Sequence, residues 1–308
     1  MLCALAGGVG AARFLAGLIR AVPPADVVAI VNTADDETFH GLHVSPDLDS
    51  VTYTLAGASN TAQGWGLEGE TFAALSALRR YEPDTWFQLG DKDLATHIYR
   101  TRRLREGAPL SVVTAEIAAA WDLGLTLLPM TDDAVRTRIS VEDGRELAMQ
   151  EWFVRERSEP AVRSVSFAGA ASATPAPGVL SALRAADTIV ICPSNPVISI
   201  GPILAVPGIR DALEARRSRV VAISPIVGGA PVKGPADRLM GPLGIEVSCV
   251  GVAASYAPFC STLVIDAVDA ARSAEVEALG VRAVVADTMM LSPDIAAALA
   301  RRALAAVA

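Results

Sequence analysis

Leu2 to Ala6 is a short apolar run that stops at Gly7-Gly8-Val9-Gly10, and Ala11 to Ile19 then carries apolar residues at helical spacing. A continuous apolar run, a glycine turn and a 3.6-residue period predict strand, turn and helix in that order. Asp26 to Val31 reads as a second buried strand ending at Asn32. The three elements open a βαβ unit.

The pattern then changes. Between about residues 50 and 124 the periodicity predicts helices over Val51–Ala56, Glu70–Arg80, Leu94–Arg105 and Leu110–Trp121, with a single strand at Trp86–Leu89 running into Gly90-Asp91-Lys92-Asp93. This is a helical insertion expected to cap the sheet. Leu125–Leu128 returns to strand, and Arg138–Val141 with Glu146–Phe153 flank Asp143-Gly144, a strong hairpin signal. Ala170–Gly178 reads as a connecting loop. Strands are expected at Thr188–Cys192, Val220–Ile223, Ile245–Val250, Leu263–Ile265 and Ala283–Val285, with helices between them and a closing helix at Ile295–Val307. The predicted architecture is a single α/β domain over residues 1–308. It is doubly wound, with a mostly parallel Rossmann-like sheet, a helical insertion at about 50–124 and a hairpin-containing segment at about 136–180.

Composition supports this reading and narrows the chemistry. A hydrophobic fraction of 52%, drawn mainly from Ala, Val, Leu and Ile, suits a parallel sheet buried on both faces. The net charge of -8 and pI near 5.0 repel nucleic-acid backbones and anionic membranes, so a polyanionic ligand must be held by local features. Cys3, Cys192, Cys249 and Cys260 form no CxxC pair, which points to a reducing compartment and away from a structural zinc site. They read as small apolar filler. The N-terminal run lacks a basic flank and is broken by glycines, and no apolar stretch reaches spanning length. The expected location is cytoplasmic.

The candidate chemistry lies at the ends of the predicted strands. Gly7-Gly8-Val9-Gly10 at a strand-to-helix junction lets backbone N–H groups approach a phosphate, although a tight turn that binds nothing has the same composition. Arg13 stands where the dinucleotide fingerprint needs its third glycine, and no Gly-Lys-Ser/Thr follows as a P-loop requires. Ser45-Pro46-Asp47-Leu48-Asp49-Ser50 sets two carboxylates just before a helix, where they can cap it or offer hard oxygen donors to magnesium. Gly90-Asp91-Lys92-Asp93-Leu94-Ala95-Thr96-His97 places a lysine between carboxylates. Lys92, His97 and Arg100 are the better candidates there, while Arg102, Arg103 and Arg105 read as a solvated face. Pro193-Ser194-Asn195-Pro196, Ser224–Pro231 and Ala286-Asp287-Thr288-Met289 each follow a strand at the carboxyl edge, where α/β sheets bind ligands.

Taken in order, these segments together with Val31-Asn32-Thr33-Ala34-Asp35-Asp36, Trp65-Gly66-Leu67 and Pro129-Met130-Thr131-Asp132-Asp133 resemble the 2-phospho-L-lactate transferase family, the CofD-like enzymes of deazaflavin coenzyme F-420 biosynthesis. The resemblance covers nearly the whole chain. It implies a magnesium-dependent transferase, typically a homodimer. Such an enzyme moves phospholactate, phosphoenolpyruvate or a phosphoglycerate from its guanosine diphosphate conjugate to the ribityl hydroxyl of 7,8-didemethyl-8-hydroxy-5-deazariboflavin, releasing GMP. The resemblance also implies roles for residues. Asp49 and Lys92 match a deazaflavin-contacting pair, Asp47 with Asp49 the metal site, Gly8 and Gly10 the phosphate loop, and Ser194, Asn195 and Pro196 a nucleotide-side loop.

The resulting catalytic candidates are Asp49, Lys92 and His97. The substrate-binding candidates are Gly7, Gly8, Val9, Gly10, Asn32, Asp49, Asp91, Lys92, Thr96, Arg100, Ser194, Asn195 and Pro196, and the metal candidates are Asp47 and Asp49. Lys92 stands where arginine is common in relatives and Val9 where others have threonine. The identity of the three-carbon acid and of the general base stays open. A nucleotide-sugar-binding regulator of related fold is the alternative. A nicotinamide dehydrogenase is a poorer one, since Asn32 and not an acid ends the second strand.

Overall fold

The computed structural model describes residues 1–307. Its centre is a parallel sheet of seven strands: β1 (Leu2–Ala6), β2 (Val27–Val31), β3 (Thr126–Pro129), β4 (Thr188–Ile191), β5 (Val220–Ile223), β6 (Thr262–Asp266) and β7 (Arg282–Ala286). Their spatial order is β7-β6-β5-β4-β1-β2-β3, and every neighbouring pair is parallel. The chain therefore starts in the middle, winds outward to β3, returns to the other side of β1 as β4 and winds outward again. The order reverses between β1 and β4, which opens a crevice at their carboxyl ends.

The strands are apolar on both faces because helices cover both. Along β1, Cys3 and Leu5 enter one core with Ile189 and Ile191, while Ala4 and Ala6 enter the other with Val190 and Val31. Helices α1 (Gly8–Ala21) and α5 (Pro293–Ala305) cross on the second face. Their contact is so close that a β-carbon at Gly17 would lie 2.4 Å from the backbone of Ala296. In the insertion between β2 and β3 come a two-stranded hairpin (Glu37–Phe39 with Leu42–Val44), α2 (Pro46–Leu55), a short helix at Ala73–Leu78, α3 (Asp93–Arg105) and α4 (Leu110–Ala120). Between β3 and β4, Arg136–Val141 pairs antiparallel with Glu146–Ala148 and with Val162–Ala168.

Several expectations are corrected. Trp86–Leu89 pairs with no strand. Phe87 stacks on Phe39 at 3.8 Å and Trp86 meets the same ring edge-on at 5.3 Å, so aromatic packing and not a backbone ladder holds the segment. The apolar run Ile245–Val250 is not a strand either. Ser248 Oγ accepts from the Gly251 N–H at 3.1 Å and starts a buried helix over Cys249–Tyr256, the ambiguity inherent in a short apolar run. The helix expected over Glu70–Arg80 is confined to Ala73–Leu78, and pairing in the hairpin ends at Ala148, after which Glu151–Arg155 forms a π-helical turn. The four cysteines are buried. Burial pushes the thiols of Cys3 and Cys260 up to about 12 and that of Cys249 to about 11, so they are inert packing. Among the described residues no helix is long and apolar enough to cross a membrane.

Candidate functional site

At the crevice, the loops that follow β1 and β4 are fastened to each other. Ser194 Oγ donates to the Gly7 carbonyl at 2.9 Å and accepts from the Gly7 N–H at 3.3 Å, all of it buried. The glycines make this approach possible. A β-carbon at Gly10 would lie 2.3 Å from the Pro193 carbonyl oxygen, one at Gly7 would lie 2.6 Å from Ser199, and Gly8 has φ +73°. Beyond them α1 begins with no acidic residue in its first turn and no cap from its N-cap residue, and its positive dipole end lies at the cavity, where the Gly8 N–H is turned to the Asp47 carboxylate. Asn195 Oδ1 accepts from the N–H groups of Val197 (2.9 Å) and Ile198 (3.3 Å), shaping the turn that opens at the buried Pro196.

One wall of the crevice is acidic. Asn32, at the end of β2, donates from Nδ2 to Asp47 Oδ2 at 2.9 Å and to Asp35 Oδ2 at 3.2 Å, while its Oδ1 accepts from the Ala34 N–H. Asp35 is 7% exposed, lines the cavity, and its Oδ1 has no partner. Burial first, and then the charge of Asp47, raises its carboxyl well above the ordinary range. Burial also pushes Asp47 up to about 6, against the opposing hydrogen bond from Asn32. These two carboxylates crowd together, and among the described residues no cation pairs with either. Asp36 is engaged elsewhere, accepting from Ser45 Oγ at 2.7 Å and lying 2.9 Å from His43 Nε2.

Asp49 is directed differently from Asp47. Both its oxygens accept from the buried Arg100 guanidinium, Oδ2 at 3.1 Å from Nη1 and Oδ1 from Nη2. Burial opposes the Arg100 charge, but the charge and hydrogen bonds of Asp49, joined by the charge of Asp36, raise its affinity for the proton. Arg100 Nη1 also lies 3.3 Å from His97 Nδ1. A guanidinium can only donate, so Nδ1 accepts, and the remaining proton of a neutral ring sits on Nε2, 3.2 Å from Asp93 Oδ2. The ring thus links Arg100 to the Asp93 carboxylate inside the protein, although Nε2 makes no hydrogen bond of proper geometry and is left unsatisfied. Tyr53 completes the network by donating to Asp93 at 2.5 Å. Asp49, Tyr53, Asp93 and His97 all line the cavity.

The remaining sequence candidates fall outside it. Lys92 Nζ donates to the Glu68 carbonyl at 2.7 Å and borders a separate cleft with Thr96 and Tyr99. Asp91 accepts from Thr71 and from the N–H groups of Ala73 and Ala74, capping the short helix, a hydrogen-bonding role that also holds its carboxyl low. Glu70 returns the favour by accepting from the N–H groups of Lys92 and Asp93, at 2.8 Å each. The cations that do face the main cavity are Arg13, Arg155, Arg157 and Lys233. Sequence reasoning passed over Asp35 as a chemical group and noted Arg13 only as a defect in a fingerprint. The available signal was position: Asp35 follows Asn32 at the carboxyl edge of a central strand, and Arg13 lies one helical turn past Gly10.

The cavity holds about 780 Å³, room for a ligand larger than a mononucleotide. Its second wall is apolar. Trp65, Trp86, Phe87, Met149, Phe153 and Met290 present flat or polarizable faces suited to a planar heteroaromatic ring.

Residues 2–301 match the family described as 2-phospho-L-lactate transferase CofD. The chain is 49% identical over 305 residues to a phosphoenolpyruvate transferase of Streptomyces griseus subsp. griseus, covering 97% of this chain and 96% of that protein. It is 43% identical to one of Nocardia farcinica (97% and 92% covered) and 41% identical to one of Mycobacterium ulcerans (98% and 97%). Two crystal structures of protein BH3568 from Bacillus halodurans, one described as a member of the UPF0052 family, share the fold. Their TM-scores are 0.60 and 0.63 at 19% and 17% identity, covering 93% and 98% of this chain and 92% and 99% of those chains.

Proposed function

Since the chain belongs to the 2-phospho-L-lactate transferase family, CofD, and is therefore a transferase of the phosphoenolpyruvate and phospholactate type, we propose that it moves phosphoenolpyruvate from a guanosine diphosphate conjugate to the ribityl hydroxyl of a deazaflavin. GMP is the leaving group. The observation that carries the reading is the pair of loops joined through Ser194 and Gly7. They turn the N-terminus of α1 toward a cavity with a carboxylate pair on one side and an aromatic wall on the other. Phosphoenolpyruvate is chosen over the other three-carbon acids because relatives at 41–49% identity carry that name.

In the proposed reaction the acceptor oxygen attacks the phosphorus bearing the three-carbon unit. A new O–P bond forms, the bridging P–O bond to GMP breaks, and the hydroxyl proton passes to the departing GMP phosphate or to solvent. The glycine loop and α1 hold the diphosphate. The aromatic wall takes the deazaflavin ring and excludes water. Asp49, with two oxygens held by Arg100, still has lone pairs free to accept from the attacking hydroxyl and orient it. Such a transfer asks mainly for positioning and charge neutralisation, so a dedicated base is not required of His97.

Asp35 and Asp47 suit magnesium. They are adjacent hard oxygen donors with one unpartnered oxygen and raised carboxyls, and magnesium commonly takes one or two carboxylates and completes its shell with water and substrate phosphates. Among the described residues no group of three or more His, Cys, Asp or Glu side chains is arranged for a metal, in keeping with such a shared shell. Bound there, the ion would neutralise charge on the diphosphate. Asp35 is proposed in place of the expected Asp49 beside Asp47, because the Arg100 guanidinium already neutralises Asp49.

Donor choice is tested by offering the purified protein equal amounts of the phosphoenolpyruvate, phospholactate and phosphoglycerate conjugates with the deazaflavin acceptor, and weighing the products by mass spectrometry. A predominant enolpyruvyl product is expected. A predominant lactyl or glyceryl product would reassign the donor, and no product from folded protein that binds GDP would remove the transferase reading.

A further inference from the structure

The main cavity is electrically divided. Asp35 and Asp47 sit beside the glycine loop, whereas Arg13 on α1 and Lys233 on the loop after β5 supply positive charge to the same space. Among the described residues neither Arg13 nor Lys233 makes an ion pair or a side-chain hydrogen bond. Arg100, Arg103 and Arg155 are by contrast each held by a carboxylate. Lys233 is exposed along its length, but a β-carbon at Gly64 would lie 2.5 Å from its Nζ, so the turn around Gly64 covers the ammonium on one side. Burial, and then the nearby charge of Arg13, lowers its affinity for a proton. In a chain of net charge -8, two exposed cations that line one cavity with no counterion of their own offer a place for an anion.

Resting on the transfer reaction above, we propose that Arg13 and Lys233 form a seat for the carboxylate of the three-carbon acid carried by the donor, separate from the place of its diphosphate. The division of the cavity supports this. A ligand with a diphosphate at one end and a carboxylate beyond it would meet the N–H groups of α1 with the first and the two cations with the second. Arginine can grip a carboxylate through two parallel N–H groups, and lysine adds a point charge. The seat selects donors that carry a free carboxylate and fixes the three-carbon unit while its phosphorus is attacked.

The test compares binding of GDP with binding of the guanosine diphosphate conjugate of phosphoenolpyruvate, by calorimetry, in the wild type and in Arg13→Gln, Lys233→Gln and Lys233→Arg, with Arg157→Gln as a further cation of the same cavity. Loss of a charge-assisted contact predicts that Arg13→Gln and Lys233→Gln each weaken conjugate binding about tenfold or more. GDP binding should be retained, Lys233→Arg should recover most of the loss, and Arg157→Gln should have little effect. Retained GDP binding also shows that the variants fold. Unchanged conjugate binding in a wild-type background that turns over would overturn the seat while leaving the transfer reaction standing. Equal loss of GDP and conjugate binding would overturn the carboxylate assignment in favour of a phosphate. An effect of Arg157→Gln as large as the others would replace the seat with a diffuse positive field. A wild type that binds GDP but not the conjugate would overturn both the seat and the reaction it rests on.

Discussion

Arg100 holds both carboxylate oxygens of Asp49, a residue 51 positions earlier in the chain, and the pair is buried beside the cavity. The contact joins α2 to α3 and fixes a carboxylate in a place where water has little access. Removing one partner leaves an uncompensated buried charge. Arg100→Ala is therefore expected to cost roughly 3–5 kcal/mol of folding stability. Urea denaturation measures this, and a loss below about 1 kcal/mol would show that the pair is more solvated than its burial indicates.

Asp49→Asn is nearly isosteric and keeps one oxygen for Arg100, so the fold should persist. Turnover should fall by at least about a hundredfold, because the remaining amide cannot both satisfy the guanidinium and receive the attacking hydroxyl. Wild-type rates in that variant, measured with both substrates saturating, would remove Asp49 from the reaction.

Ser194→Ala takes away both hydrogen bonds to Gly7 and leaves the buried Gly7 N–H and carbonyl without those partners. The expected cost is about 1–3 kcal/mol in stability, with GDP binding weakened as the loop loosens. Unaltered GDP affinity would mean that the glycines alone shape the phosphate loop.

The carboxyl of Asp47 is raised by burial from 3.8 to about 6, so the folded protein holds this proton more tightly than the unfolded chain. The stability it contributes is complete below its unfolded value near 3.8 and is lost as pH rises through about 6. Metal-free protein should therefore lose on the order of 3 kcal/mol over that interval on account of this group. Asp47→Asn should flatten the profile, and magnesium should stabilise the wild type more at pH above 6 than below it. A wild-type profile unchanged by Asp47→Asn would show that the carboxylate is better solvated than its surroundings suggest.

The parallel core was legible because its strands are short apolar runs ended by glycine or turn residues, from Leu2–Ala6 through Thr188–Ile191. The phosphate loop was legible for the same reason, since Gly7 to Gly10 stand at a strand-to-helix junction. The pairing of side chains was not. Asp47 and Asp49 are two residues apart, yet helical geometry sends one to Asn32 and the other to Arg100, a difference no spacing rule reveals. Lys92 looked chemical because it lies between carboxylates, but Glu70 and Asp91 are used in capping adjacent helices and draw that run away from the cavity. Trp86–Leu89 and Ile245–Val250 misled because an apolar run of that length serves equally well as aromatic packing or as the start of a buried helix. Gly17 gave no signal at all, since its reason is the close passage of α5.

The most direct measurement is simultaneous quantification of GMP and of the phosphodiester product when purified protein, magnesium, the deazaflavin acceptor and the guanosine diphosphate conjugate of phosphoenolpyruvate are combined. Equal amounts of GMP and product, both abolished by omitting the acceptor, are the predicted result. GMP formed without acceptor, or no GMP from protein that binds GDP, would contradict the account.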